Sequence, residues 1–211
     1  MTIIAEIWRS LLSGLQTTLS IFLIVSIVSI PLGFLIACAR VFAGKWIGAI
    51  IQVYIYIMRG SPLLLQLMFI FFGLPTVGIV LDRFTAAILA FILNYAAYYA
   101  EIFRGGIMSI PQGQFESIAV LGIGKLRGFR RIIIPQVLKT VLPSVGNEVI
   151  SLVKDTSLVY VLGIGELLRA GQIAANAKAS LIPFVAVGIL YLSLTAIVTL
   201  ILNWTEKKVV Y

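Results

Sequence analysis

Histidine is absent from the 211 residues, cysteine occurs once, at Cys38, and only eight side chains are acidic. Without histidine the commonest general base and the commonest nitrogen metal ligand are missing, and a lone cysteine cannot close a disulfide or complete a Cys/His metal set within the chain. No catalytic residue and no metal site is therefore expected. Charge of either sign is scarce, at 11% of residues against 61% hydrophobic, and the mean hydropathy is +1.10. That composition leaves no room for a separate soluble domain. It predicts an all-α polytopic helical bundle, with residues 1–211 forming one transmembrane domain bathed in membrane lipid. The net charge of +8 then reads as topology, not as a nucleic-acid surface.

What is present is a series of apolar runs close to the length a helix needs to cross a bilayer. Residues 1–14 set Ile3, Ile4, Ile7, Trp8, Leu11 and Leu12 at helical spacing with Glu6, Arg9 and Ser10 elsewhere, which predicts an amphipathic helix lying in the membrane interface. A first span from about Leu15 to Ala39 is too long for a signal-peptide core. Arg40 and Lys45 follow it, so the positive-inside bias takes it into the cytoplasm and leaves the N-terminus outside.

From Trp46 to Val80 the run exceeds one simple span and is interrupted at Arg59-Gly60-Ser61-Pro62. Proline removes a backbone donor and disfavours helix in the residue before it, so a loop near the cytoplasmic surface or a bent, pathway-lining helix is expected there. Leu74-Pro75-Thr76-Val77-Gly78 predicts an outer turn. Further spans run from about Arg83 to Phe103, Val141 to Gly163 and Leu181 to Trp204. Residues 162–180, with Glu166, Arg169 and Lys178 in balance, suit an outer connection, and Trp204, Lys207 and Lys208 anchor the last span at the cytoplasmic side. The expectation is five spans, N-terminus out and C-terminus in.

Between the third and fourth spans lies a stretch with no long apolar run, roughly Arg104 to Lys139. It carries Arg104, Lys125, Arg127, Arg130, Arg131 and Lys139 against the single acid Glu116, which assigns it to the cytoplasm. Ser109-Ile110-Pro111-Gln112 has the form of a capping box with proline near the first helical position. It predicts a short helix over about Pro111 to Leu121, ended at Gly122 or Gly124, with Phe115 and Ile118 on an apolar face suited to lying in a partner's groove.

Polar residues inside the spans are few. Asn94, Tyr98 and Glu101 recur at steps of four and three, so they share one helical face. The fourth span holds Asn147, Glu148, Lys154, Asp155, Thr156 and Ser157. Ionisable groups at such depth are costly unless they line a cavity or pair, and they mark functional sites by default. Lys154 and Asp155 are neighbours pointing about 100 degrees apart on a regular helix, so at least one needs a partner elsewhere: Glu101, Glu148 or a ligand.

Glu116-Ser117-Ile118, then Gly122, then Ile132 and Ile134-Pro135 resemble the E-A-A, three residues, G, nine residues, I-x-L-P signature of inner-membrane permeases of ABC importers. Ser117, Ile118 and Ile134 depart from it. Arg59-Gly60-Ser61-Pro62-Leu63-Leu64, the run from Asn94 to Gly106, and Lys154-Asp155-Thr156-Ser157-Leu158 resemble stretches of the polar amino acid permeases in that family. The resemblance implies a prokaryotic cell membrane and a second permease subunit, expected to be another copy. It also implies two cytoplasmic ATP-binding subunits and an extracellular amino-acid-binding protein. Gly113 through Gly124, with Phe115, Glu116, Ile118 and Gly122, would form the coupling helix.

No G-x-x-x-x-G-K-[ST] occurs, so ATP and Mg belong on the partner ATPase and this chain needs no cofactor. Substrate contacts are expected from Asn94, Tyr98, Glu101, Lys154, Asp155 and Ser157. Two acids against one base favour a basic or zwitterionic amino acid, arginine, lysine or histidine ahead of glutamine. The alternative is an ion-coupled secondary transporter or channel using Glu101 and Asp155, although an odd number of spans provides no inverted repeat.

Overall fold

The first apolar run contains no adjacent pair of helix breakers, and it forms one helix, α1, over Thr2–Phe42. The computed structural model describes residues 2–210, with side chains from Trp8 to Val209. The expected separate interfacial helix over residues 1–14 is not formed, because the helix continues through Ser13 and Gly14 into the span. Gly14 is there for packing: a Cβ on it would lie 2.9 Å from the backbone of Glu166 and Leu167. Leu11 is buried and Leu12 exposed, whereas Ile3, Ile4 and Ile7 of the expected apolar face, and Glu6 away from it, lie outside the residues whose side chains are described.

Helix α2 (Gly44–Gly60) stops where the sequence places its break. Ser61 and Pro62 are extended, and α3 (Leu63–Met68) leaves at a steep angle, continuing through a π turn at Phe69–Gly73 and a 3-10 turn at Leu74–Val77. Gly78, at φ +85°, closes the 3-10 turn, a conformation glycine adopts without cost. Among the described residues three helices are long and apolar enough to cross a membrane: Trp8–Phe42, Arg83–Met108 and Ile182–Val209. Two bent pairs, Gly44–Gly60 with Leu63–Val77 at 106° and Lys125–Leu162 with Leu167–Lys178 at 57°, raise the number to five when each pair counts as one span.

Helix α4 (Arg83–Met108) is the core of the bundle. Asp82 caps it, accepting from the N–H groups of Phe84 and Thr85 at 3.0 and 3.1 Å. Hydrogen bonds from Thr85 foremost hold the Asp82 carboxyl below its ordinary range. Ala86, Ala90, Ala96, Ala97 and Ala100 are wholly buried, and these small side chains let α1 approach closely. Gly33 of α1 meets that row: a Cβ there would lie 2.5 Å from Tyr99 Cβ and 2.9 Å from the Ala96 carbonyl oxygen.

The connection after α4 departs from the predicted capping box. Ser109 ends α4 and its hydroxyl donates to the Gly106 carbonyl at 2.8 Å. Helix α5 (Gln112–Val120) starts behind Pro111 with no side-chain cap, because Ser109 is already committed to the helix before it. Gly122, at φ +65°, ends the turn after α5, as expected of a glycine stop. Then α6 (Lys125–Gly128), a π turn at Phe129–Ile133, α7 (Ile134–Asp155) and a 3-10 turn at Thr156–Leu162 follow as one rod.

Helix α8 (Leu167–Lys178) opens at Glu166, which is not a solvated member of an outer loop. It is wholly buried, accepting from the N–H groups of Leu168 and Arg169 at 2.6 and 2.7 Å and from the Tyr191 hydroxyl at 3.0 Å. Helix α9 (Ile182–Val210) is the last element among the described residues.

Candidate functional site

A break inside an apolar segment strips backbone carbonyls of their helical donors, and in lipid they must be satisfied by protein. At Arg59–Pro62 two amides do this. Gln66 Nε2 donates to Met58 O at 2.9 Å, Ser61 O at 3.2 Å and Ser61 Oγ at 2.8 Å. Asn94 Nδ2 donates to the same Met58 carbonyl and to Gln66 Oε1, both at 3.0 Å. Asn94 thus pins the bent segment to α4, and its amide hydrogens are spent on that task. Gln66 was not foreseen; the available signal was a lone amide in the otherwise apolar run Leu63 to Phe72.

Beside the pinned break, α4 and α7 enclose a polar cavity of about 360 Å³. Its chemistry comes from Ser61, Asn94, Tyr98, Glu148, Lys154 and Asp155. Asp155 accepts a hydrogen bond from the Tyr95 hydroxyl at 2.7 Å. Lys154 is exposed and, among the described residues, makes no ion pair. Arg59 sits over the Tyr98 ring, 5.1 Å from its centroid, a favourable cation–π geometry. The cavity therefore offers two carboxyl groups, an ammonium and the Tyr98 phenol to whatever enters, the Tyr95 phenol being spent on Asp155.

Two expected members stand elsewhere. Glu101 does not line this cavity; it pairs with Arg40 at 2.5 Å and with Arg104 on its own helix. Two guanidinium groups have claimed it, so the open question of a Glu101–Lys154 pair is answered by Arg40, which reaches α4 from α1. Glu101 lines instead a cavity of about 710 Å³ with Arg40, Arg59, Tyr56 and Tyr98. Ser157 is also absent from the polar lining: the rod changes from α to 3-10 after Asp155, which turns Ser157 off the face that carries Lys154 and Asp155.

Glu148 lines this cavity, and Glu101 does not. Glu148 lies seven residues, two helical turns, before Asp155, a spacing that puts both acids on one face and was readable in advance. Tyr95 was passed over because its partner is on another helix.

On the connecting segment, Ile118 faces inward. It is 6% exposed, and Phe115 is half-buried beside it. The apolar side chains that α5 and α6 present outward are Val120, Leu121 and Leu126. The expected Phe115/Ile118 docking face is thus turned toward the chain's own Gly128 and Phe129, leaving Glu116 exposed between Phe115 and Ile118.

Comparison with known proteins agrees with this architecture over nearly the whole chain. Residues 29–211 match the family model described as binding-protein-dependent transport system inner membrane component. The chain is 36% identical over 200 residues to the arginine transport system permease protein ArtQ of Bacillus subtilis (strain 168), covering 94% of this chain and 91% of that protein. It is 37% identical over 211 residues to the glutamine transport system permease protein GlnP of Escherichia coli (strain K12), covering 97% and 96%. A crystal structure of an amino acid ABC transporter with histidines superposes with a TM-score of 0.88 at 32% identity, covering 97% of this chain and 96% of that one. The chain belongs to the family of inner membrane components of binding-protein-dependent transport systems.

Proposed function

We propose that this chain is the permease subunit of an ATP-driven amino acid importer and that the cavity between α4 and α7 is where its substrate is held. The observation that carries the reading is the charge set in that cavity, Glu148 and Asp155 against Lys154. An α-ammonium or a cationic side chain finds a carboxylate there, and an α-carboxylate finds an ammonium. Within the lining itself one acid is in excess, with Arg59 at its edge over Tyr98, and a basic or zwitterionic amino acid is favoured, arginine, lysine or histidine ahead of glutamine. Relatives named for arginine and for glutamine transport support the substrate class. Tyr98, Lys154 and Asp155 contact the substrate in this reading. Asn94 holds the break that shapes the cavity, while Glu101 and Ser157 act from outside it.

Five spans around one small polar cavity make half a pathway, completed by a second permease subunit, taken as another copy. The N-terminus lies outside and the C-terminus in the cytoplasm of a prokaryotic cell membrane, following the cationic stretch 104–139. An external binding protein delivers substrate. Two cytoplasmic ATPases, which hold ATP and Mg, receive the α5–α6 element by its Val120, Leu121 and Leu126 face with Glu116 beside it. ATP-driven closure of those subunits draws the two elements together and opens the spans outward; hydrolysis reverses the motion.

The test is uptake of labelled arginine, lysine, histidine and glutamine by proteoliposomes containing this chain, its ATPase and its binding protein. ATP-dependent uptake is expected, with Asp155→Asn lowering it roughly tenfold for the cationic substrates, the weight of one charge-assisted hydrogen bond. Flux without ATP would overturn the importer reading.

A further inference from the structure

We propose that Ile118 and Gly128 form a slack-free seat locking α5 to the base of the α6–α7 rod, so that displacement of the docking element reaches the polar cavity; this rests on the importer reading above. Ile118 is 6% exposed although it lies on a nine-residue helix of otherwise mostly exposed side chains. Its own chain buries it: a Cβ added at Gly128 would lie 2.4 Å from Ile118 Cγ2 and 3.0 Å from Cδ1. Any larger residue at position 128 would have to push the Ile118 side chain out of this place. Gly128 has helical backbone angles, φ −62° and ψ −47°, so what glycine contributes there is space and not conformation.

The seat is braced on both sides. The Ile123 N–H donates to the Ile118 carbonyl at 3.0 Å, and the Gly128 N–H to the Gly124 carbonyl at 2.9 Å. Phe129, the next residue, meets Phe42 at the end of α1 edge to face, with centroids 5.2 Å apart. Around this point the element has room, since an apolar cavity of about 670 Å³ is bordered by Phe42, Phe115, Ile118 and Phe129. At Ile118 against Gly128 it has none.

From Gly128 the rod runs helical to Leu162 and carries Glu148, Lys154 and Asp155. A second contact of the same kind ties the rod to α4: a Cβ on Gly106 would lie 2.2 Å from Val141 Cγ1 and 3.2 Å from Val137 Cγ1. Helix α4 carries Tyr98, the facing wall of the cavity. Close-packed contacts have low compressibility and pass a displacement on, whereas a loose one absorbs it. Two glycine seats in series therefore connect the docking element to both walls of the cavity.

A demonstrated coupling, not spatial sequence alone, is what makes such a path. ATP hydrolysis and amino acid uptake are measured together in proteoliposomes holding the chain, its ATPase and its binding protein. Wild type is compared with Ile118→Ala, Gly128→Val and the double variant. Hydrolysis is expected to persist while substrate moved per ATP falls about fivefold or more in each single variant. The double variant, in which valine refills the space vacated at position 118, is expected to recover it. If Gly128→Val alone fails to assemble and the double variant assembles, the same contact is supported. A wild-type ratio in Ile118→Ala overturns the seat, and so does a lost ratio that the double variant leaves unrecovered. If the wild type itself shows no ATP-driven uptake, the importer reading fails and takes the seat with it.

Discussion

Helices α4 and α9 are both long enough and apolar enough to span a membrane, yet they are built to opposite plans. Helix α4 carries Asn94, three tyrosines, Glu101 and Arg104, and six of its eleven buried apolar residues are alanines. Helix α9 is richer in leucine, isoleucine and valine and keeps most of them exposed, with Leu192 at 72% and Leu200 at 69%. In water the more apolar helix would be the buried one. In a bilayer lipid tails are as apolar as leucine, so burial is decided by small residues that allow close approach and by polar groups that need protein partners. The least hydrophobic of the three continuous spans is therefore the centre of the fold, and the more hydrophobic α9 is its outside.

One substitution made on both sides of this contrast gives its sharpest test, because glycine-to-alanine changes in the α1–α4 seam and on α9 should differ in sign. Gly33→Ala drives a methyl group into the Ala96 and Ala100 backbone, which cannot rotate aside. A loss of about 1–3 kcal/mol is expected in denaturation of the detergent-solubilised protein. Equal stability would mean that the seam is looser than its distances imply. Glu101→Gln comes next. It leaves Arg40 and Arg104 half-buried without their shared anion, and a loss of about 1–2 kcal/mol is expected, between the values for exposed and buried pairs. If the variant instead keeps its stability but loses uptake of cationic amino acids selectively, Glu101 contacts substrate. The smallest effect belongs to α9. At Gly188 a Cβ meets nothing within 4 Å, so Gly188→Ala should stabilise by up to ~1 kcal/mol through helix propensity alone. A loss there would reveal that a second subunit covers this face.

Much of this was legible in the chain. The break at Arg59–Pro62 follows from proline chemistry, the glycine stop at Gly122 from its left-handed backbone, and the span pattern from hydropathy. Asn94, Tyr98, Lys154 and Asp155 come together as the intramembrane polar residues suggested. Three groups meet partners that the sequence did not point to, for one shared reason. Ser109 has the form of an N-cap, but the preceding helix claims its hydroxyl. Glu101 shares a face with Tyr98, but Arg40, sixty-one residues earlier in the chain, takes its carboxylate. Ile118 looks like part of an outward apolar stripe, but Gly128 leaves a space that it fills.

By itself the sequence determined what depends on local chemistry and on the medium: an all-helical membrane chain, where its helices break, and which residues are too polar to face lipid. Tertiary structure alone decided which polar groups satisfy one another and which apolar faces stay free. Those outcomes depend on distances between residues far apart in the chain, and periodicity along a single helix carries no information about them.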